Sequence, residues 1–434
     1  MRDGSVSYIE ENKVKKTIAV ILSIGIILRL LLSFTTYHSD VAPFDFAGKV
    51  ISRGNITNYY DYLWNLQDNH PYLKVYPRNL FNYPPLVYFF LGGVSRLTTW
   101  IVNPQVHDNF ILDFPSTLGN IQLNLLLLLL KLPYLPFDIA IAYLLMSFVK
   151  DVKKKIWIFG LWIFNPVNLY ATYMLGQFDV IPTFLSVAAL YLVVKNKNHI
   201  DSISLLLSAL LLGVGAAFKI FPLLFVIPLA LLKNDWWEKI KVMGVGVATY
   251  IILAFPFIFS KGFRATAALA GQATKSLYAQ IPISGGESII LFLAVVIFLY
   301  LVFIYKKVSA EDLWKRFFLM MLTFFVFTHY HPQWFLWITP FLVIDLVYSN
   351  FKNWVVLAIT LVSYFTLITF FDPGLTVWLF APLNPNLWGL PGPWQLMGLN
   401  PDINIFRSIF QTLFVGAAMY YSYIHFPKER ENLL

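Results

Sequence analysis

The sequence contains no cysteine, which excludes disulfide bonds, thiol catalysis and cysteine-ligated metal centres. Charged residues are also scarce, at 13% of the 434 residues, whereas a soluble domain carries about a quarter. This scarcity excludes an ordinary soluble enzyme. What remains is a chain that is 58% hydrophobic, with a mean hydropathy of +0.65 and apolar runs of membrane-spanning length from end to end. We therefore predict an all-α polytopic membrane protein in which residues 1–434 form a single transmembrane domain.

The net charge of +9 does not indicate a nucleic acid partner, because most basic residues lie in short loops, where they set membrane orientation. Lys13, Lys15 and Lys16 precede the first apolar run, 17–36, and predict a cytoplasmic N-terminus. Later lysine clusters alternate with apolar runs in a regular way. The pattern predicts about 11–13 transmembrane helices, a cytoplasmic C-terminus, and a location in the plasma membrane of a prokaryote or in the ER membrane.

This topology puts three polar segments on the outer or lumenal face. The long first outer loop, 37–120, is expected to hold interfacial or re-entrant helices, and 260–287 and 372–404 form further outer loops. Within the first loop, the apolar run 84–102 either lies in the interface or crosses the membrane, and the sequence leaves both options open. Ionisable groups from distant segments thus fall at one membrane level, which is how a site is built in a helical bundle.

Three acids are candidate catalytic residues. Asp40 lies immediately past the first apolar run, where a carboxylate at the membrane surface can accept a proton from a sugar hydroxyl. Asp45 follows on the same segment, and a solvated loop acid explains it as well as a function does. Asp179 precedes Val180 and Pro182, so a helix cap is an equal alternative to a catalytic or metal-binding role.

Several cations and histidines are candidate ligands for a phosphate on the outer face. Lys219 lies between two apolar runs, and Arg264 and Lys275 lie in an outer loop, where basic residues are normally few. A snorkelling lysine and plain loop solubility are the alternatives. His329 and His331 flank Tyr330 and suit hydrogen bonding to substrate or phosphate better than zinc, although either one alone also fits a structural turn.

Two ionisable residues inside apolar runs require partners. Asp138 is costly there unless it is paired, and Lys131 is one candidate. Arg29, inside the first apolar run, is interpreted as a structural residue buried against another helix.

The order of these motifs resembles a known family. After the first helix come Asp40, then Asn82-Tyr83-Pro84-Pro85-Leu86, Lys131-Leu132-Pro133 with Asp138, Asn165-Pro166, Gly176-Gln177-Phe178-Asp179 and Lys219-Ile220-Phe221-Pro222. This series, over about 17–232, resembles the GT-C superfamily of membrane glycosyltransferases, especially its glycosylphosphatidylinositol mannosyltransferase-like branch. The resemblance implies a GT-C-like bundle with a long first outer loop.

The resemblance also implies a reaction. An inverting transferase of this kind takes a hexose, here most naturally mannose, from a polyprenyl (dolichyl) phosphate carrier to a lipid-linked or glycan acceptor, within membrane lipids. Asp40 would be the base, and Asn82, Tyr83 and Gln177 become candidates for contacting the acceptor or sugar. The acidic pair of many members is not adjacent here. The scheme names no required cofactor; a divalent metal (Mg or Mn) stays an option, and Asp45 or Asp179 would supply a second acid.

Two other function classes compete with a transferase. A carrier or flippase for a lipid-linked sugar or an organic anion would use the same cations and no base. A structural subunit of a glycosylation complex would show no turnover alone. Paired broken helices in corresponding halves would favour transport, and the sequence shows no such symmetry.

Overall fold

Helices dominate the computed structural model, which describes residues 3–195, 201–268, 274–306, 309–399 and 402–427. The helices of nine or more residues are Asp3–Thr35, Ala42–Ser52, Pro85–Thr98, Pro104–Leu112, Ile121–Lys131, Leu135–Met146, Val152–Ile163, Val180–Lys195, Ser202–Ala216, Trp236–Ala254, Leu291–Tyr305, Leu313–Phe327, Thr339–Tyr348, Trp354–Thr369 and Ile403–His425. Shorter helices are Pro71–Val75, Pro166–Asn168, Val226–Ala230, Lys261–Phe263 and Pro393–Leu396, with π-helices at Leu169–Met174 and Arg264–Ala268. The predicted all-α class is confirmed for these residues, apart from one small hairpin.

That hairpin is the one piece of sheet in the described residues. Strand Gln280–Pro282 pairs antiparallel with Ser288–Ile290, so that Gln280 lies opposite Ile290. Its first strand and its turn fall in the loop predicted as 260–287, and Gly285 and Gly286 adopt positive φ angles of 61° and 94° at the turn. Glycine takes such angles without steric penalty.

By length and composition, three helices of the described residues can cross a membrane alone: Asn12–Thr35, Ile121–Met146 and Trp236–Phe257. Six shorter apolar helices accompany them: Val180–Lys195, Ser202–Ala216, Phe221–Ala230, Leu291–Tyr305, Thr339–Tyr348 and Trp354–Thr369. The first of the long helices leaves most of its surface open, with Ile24, Ile27 and Leu31 more than half exposed. Apolar side chains on that surface are compatible with lipid. The protein is an integral membrane protein.

The run 84–102 forms a helix that is too short to span a bilayer. Pro85–Thr98 has 14 residues, about 21 Å of helix, against a hydrocarbon core of ~30 Å. It packs closely on Ala42–Ser52. The two helices are so near at Gly48 that a Cβ atom there would lie 2.8 Å from the carbonyl oxygen of Gly92. Of the two options left open by the sequence, this length favours the interfacial one, which stays a prediction.

The proposed pairing of Asp138 with Lys131 is wrong. Asp138 instead accepts a hydrogen bond from the Arg29 Nε at 2.6 Å, so Arg29 is the buried structural residue that the sequence predicted. Lys131 is also buried, but its ammonium donates to the backbone carbonyls of Thr36 at 2.7 Å and Tyr173 at 2.9 Å. Guanidinium fits a carboxylate better than ammonium does, and the free helix-end carbonyls satisfy the lysine.

The apolar run 156–175 is not one helix. Helix Val152–Ile163 ends, and Asn165 caps the start of the next helix. Its side-chain oxygen accepts hydrogen bonds from the N–H groups of Val167 and Asn168. Pro166 occupies the first helical position, where its missing N–H is not needed. The chain then winds as a π-helix, Leu169–Met174, directly before the segment that holds Gln177 and Asp179.

Candidate active site

Asp40 lies on a single 3-10 turn, Ser39–Val41, directly after the first helix. Its side chain is 39% exposed. One carboxylate oxygen, Oδ2, accepts a hydrogen bond from the Gln177 Nε2 at 2.8 Å, and His38 Nδ1 lies 3.7 Å away. The carboxylate is therefore held in position by a buried amide while it stays open to a substrate.

Gln177 reaches Asp40 because Gly176 allows two loops to touch. Gly176 has φ of +70°, and a side chain there would meet Val41 Cγ2 at 2.6 Å and Lys131 Cε at 3.1 Å. Its carbonyl accepts a hydrogen bond from the Tyr134 hydroxyl at 3.0 Å. The positive φ and the close approach both require glycine at this position.

Asp179 and Lys219 form a buried ion pair beside this contact. Lys219 Nζ lies 3.2 Å from Asp179 Oδ1, and both side chains are more than nine-tenths buried. Trp337 Nε1 donates to the same Oδ1 at 2.7 Å. The cap interpretation of Asp179 does not describe its side chain, because the carboxylate turns to the tryptophan and lysine. Lys219 also interacts electrostatically with Asp40.

Aromatic rings enclose the Lys219 ammonium. The ring centroids of four residues lie 4.8 to 5.6 Å from Nζ: Tyr83, Phe178, Trp334 and Trp337. A cation within ~6 Å of a ring face is stabilised by the ring quadrupole. Tyr83 thus lies against the Lys219 ammonium, and its contact with acceptor or sugar stays a prediction. No side-chain contact is described for its neighbour Asn82, whose backbone N–H donates to Leu80.

A second cation, Lys275, lies next to the histidine pair. Lys275 Nζ donates to His331 Nε2 at 2.9 Å, which requires that nitrogen to be unprotonated. Burial, with Lys275 and Lys219 nearby, lowers the pKa of His331 to about 4. Burial also lowers the pKa of His329, with Lys275 and Arg407 adding to the effect. Both imidazoles are therefore neutral at physiological pH, and the positive charge resides on the lysine.

Arg407 is a candidate site residue that sequence reasoning missed. It lines a cavity of about 510 Å³ together with His329, Tyr330 and mostly apolar side chains that include Ile368 and Phe371. Its guanidinium carbon lies 4.8 Å from the centre of the Phe371 ring, and its Nε has no hydrogen-bond partner among the described residues. The available signal in the sequence was that Arg407 lies just after the predicted outer loop 372–404, at the outer end of a helix.

Asp45 lies in a different environment from Asp40. Its carboxylate is 1% exposed and accepts from Ser95 Oγ at 2.7 Å, with His107 Nδ1 at 2.9 Å. It is therefore a buried network residue and not a solvated loop acid. Arg264 is exposed, and its described side-chain hydrogen bond goes to the Ile258 carbonyl. Within the described residues, no contact joins Arg264 to Lys219 or Lys275.

The residues around Asp40 do not fit a Mg or Mn site. No group of three or more His, Asp or Glu side chains able to hold a metal ion occurs in the parts of the chain that the structure describes. Asp179, the second carboxylate of the cluster, already faces Lys219 at 3.2 Å, and an ammonium at that distance opposes a divalent cation.

Comparison with known proteins gives one sequence family. Residues 116–328 match Glycosyltransferase family 87. This match, over just under half of the chain, supports a membrane glycosyltransferase of the GT-C superfamily. The match includes Gln177, Asp179, Lys219 and Lys275, ends one residue before His329, and does not reach back to Asp40.

Further comparisons are more distant. A crystal structure of ArnT from Cupriavidus metallidurans bound to undecaprenyl phosphate is similar with a TM-score of 0.43 and 11% sequence identity. The similarity covers 94% of this chain and 77% of that one. No curated protein matches the chain.

Proposed function

We propose that this transferase moves a hexose, with mannose as the first candidate, from a polyprenyl phosphate carrier to a lipid-linked or glycan acceptor. The observation that carries the proposal is Asp40, a partly exposed carboxylate fixed by buried Gln177 at the edge of a cluster of cations and aromatic rings. The reaction would take place on the outer face of the membrane, with inversion at the sugar carbon.

Asp40 would act as the general base. A sugar hydroxyl is a poor nucleophile at neutral pH, and a carboxylate in hydrogen-bond reach accepts its proton as the oxygen attacks C1. The bond from C1 to the phosphate oxygen breaks, and its electron pair leaves with the polyprenyl phosphate. Because attack and departure occur on opposite faces of C1, the product has the inverted configuration. Polyprenyl phosphate needs little protonation to leave, so one base and nearby cations are sufficient for this reaction.

Lys275 and Arg407 are the residues we assign to the carrier phosphate. Lys275 is joined to His331, and Arg407 shares the cavity of about 510 Å³ with His329. Charge-assisted hydrogen bonds from such cations stabilise the negative charge that grows on the leaving phosphate. The apolar walls of the same cavity suit the first isoprene units of the carrier.

The test is a transfer assay with purified protein in lipid nanodiscs, polyprenyl-phosphate mannose as donor and a panel of glycolipid acceptors. We expect a mannosylated product whose new linkage is inverted relative to the donor. Lys275→Met and Arg407→Met should each raise the KM for the donor, whereas Lys241→Met is the control. Lys241 is 62% exposed and pairs with Glu238.

Two results would contradict this assignment. Tight binding of the donor without any product, for every acceptor and every sugar tried, would favour a carrier that moves the lipid across the membrane. Unchanged donor dependence in both cation variants would show that the phosphate is bound elsewhere.

A further inference from the structure

Three buried polar atoms of adjacent segments have no hydrogen-bond partner among the described residues. They are Gln177 Oε1, Asp179 Oδ2 and Lys219 Nζ. Gln177 and Asp179 are 0% exposed and Lys219 is 6% exposed. Lys219 Nζ lies 3.2 Å from Asp179 Oδ1 as an ion pair, whereas the other carboxylate oxygen, Oδ2, has no partner among the described residues. A buried polar atom without a partner is costly, so Gln177 Oε1 and Asp179 Oδ2, next to the Lys219 ammonium, indicate a polar ligand.

The charges of the cluster do not suit a phosphate. Asp179 faces Lys219 at 3.2 Å, so the pair is close to neutral, and the unpaired Oδ2 would repel an anion. The cations suited to an anion are the separate pair Lys275 and Arg407. A neutral hydroxyl fits instead, because it can donate to a carboxylate or amide oxygen and accept from an ammonium at the same time.

Aromatic faces surround these polar atoms. Trp334 and Trp337 are stacked with their centroids 5.2 Å apart, and Tyr83 and Phe178 lie on the Lys219 ammonium as well. A pocket of aromatic walls with a few converging polar groups is the usual form of a small-ligand site. Rings of this kind can pack against the C–H face of a sugar while the polar atoms bind its hydroxyls.

We propose that Gln177, Asp179 and Lys219 bind two adjacent hydroxyls of the transferred sugar, so that the enzyme selects a neutral sugar with a vicinal diol. The inference rests on the proposed function and reassigns Lys219 and Asp179 from phosphate binding and catalysis to sugar recognition. Gln177 links this cluster to the chemistry, since its Nε2 donates to Asp40 while its Oε1 has no partner among the described residues. The sugar and the base are thereby fixed by one side chain.

Binding, measured without turnover, tests the pocket. Protein in nanodiscs is titrated by calorimetry with bare polyprenyl phosphate and with the same lipid carrying mannose, glucose, galactose or N-acetylglucosamine. For at least one sugar, wild type should bind the glycosylated lipid roughly 10- to 100-fold more tightly than the bare lipid, from one or two charge-assisted hydrogen bonds. Asp179→Asn and Lys219→Met should remove most of that gain and leave the affinity for bare lipid unchanged. Asp68→Asn and Lys241→Met are the matched controls.

Deoxy sugars on the carrier repeat the test in wild-type protein, which removes any dependence on how the buried variants fold. Removal of either of two adjacent hydroxyls should reduce the gain, and removal of a hydroxyl elsewhere on the ring should not. The inference is overturned if no sugar improves binding to wild type, or if both variants keep the gain in affinity. It is also overturned if Lys219→Met lowers the affinity for bare lipid as much as the affinity for the glycosylated lipid. None of these results would stop transfer by wild-type protein, so the proposed function is judged separately.

Discussion

Replacing Asp138 by asparagine should destabilise the bundle more than any single change of an exposed acid. The Asp138 carboxylate is 0% exposed and receives donors from four residues: Arg29 Nε at 2.6 Å, and Trp162 Nε1, Asn168 Nδ2 and the Tyr173 hydroxyl, each at 2.7 Å. An asparagine of the same shape keeps one oxygen, but it leaves the Arg29 guanidinium buried without a counter-charge. Removing one partner of a buried ion pair typically costs about 3–5 kcal/mol.

The effect should reach the candidate active site. Asn168 and Tyr173 belong to the helical turn and the π-helix that lead directly into Gly176 and Gln177. We therefore expect Asp138→Asn to lose transfer activity in proportion to its loss of folded protein, and to recover both on stabilisation by bound donor, since a ligand that binds only the folded state stabilises it.

The assay is unfolding in mixed micelles with increasing SDS, with Asp68→Asn as control because that side chain is 98% exposed. The double variant Arg29→Met with Asp138→Asn should be more stable than Asp138→Asn alone, because it removes the uncompensated buried charge while the asparagine oxygen still accepts from Trp162 and Asn168. The reasoning is refuted if Asp138→Asn unfolds within about 0.5 kcal/mol of wild type, or if the double variant loses the sum of both single changes.

Three further predictions follow from single positions. Gly176→Ala should impair transfer strongly, because its φ is +70° and a Cβ would meet a neighbouring side chain at 2.6 Å, whereas Gly93→Ala, with open space around it, should not; product formation by both variants checks this. The pKa of His331 is about 4 in the folded protein and 6.5 is its ordinary value, so the unfolded chain binds the proton first as pH falls. Thermal stability should therefore be lost between pH 6.5 and 4, and His331→Gln should flatten that loss. For the predicted topology, an impermeant thiol reagent added outside should label Lys275→Cys and not Lys154→Cys, and the reverse pattern would overturn it.

The location of Asp40 could be predicted directly from the sequence. An acid directly after an apolar run of about 20 residues must lie near the membrane surface, and the structure places Asp40 on the turn that follows the first helix. The same topology argument put Asp179, Lys219, Arg264, Lys275, His329 and His331 on one face with Asp40, and the described contacts connect these residues except Arg264. Hydropathy determines depth in the membrane, which is why this much was predictable.

Hydropathy does not determine which helices are neighbours, and the remaining errors follow from that. Arg29 and Asp138 are 109 residues apart, and nothing local in the sequence indicates that their helices touch. Lys131 is closer to Asp138 along the chain, yet it points to backbone carbonyls at the helix ends. Arg407 joins the site through the packing of a late helix beside the histidine loop, a tertiary contact without a sequence motif.

The identity of the base is the central claim, and turnover of Asp40→Asn tests it most directly. The measurement compares kcat for sugar transfer by purified wild type, Asp40→Asn and Asp68→Asn at matched thermal stability. A general base contributes typically ~10²–10⁴-fold, so Asp40→Asn should lose roughly that factor in kcat with little change in donor KM, and Asp68→Asn should stay near wild type. Full turnover by Asp40→Asn would contradict the account and place the base elsewhere.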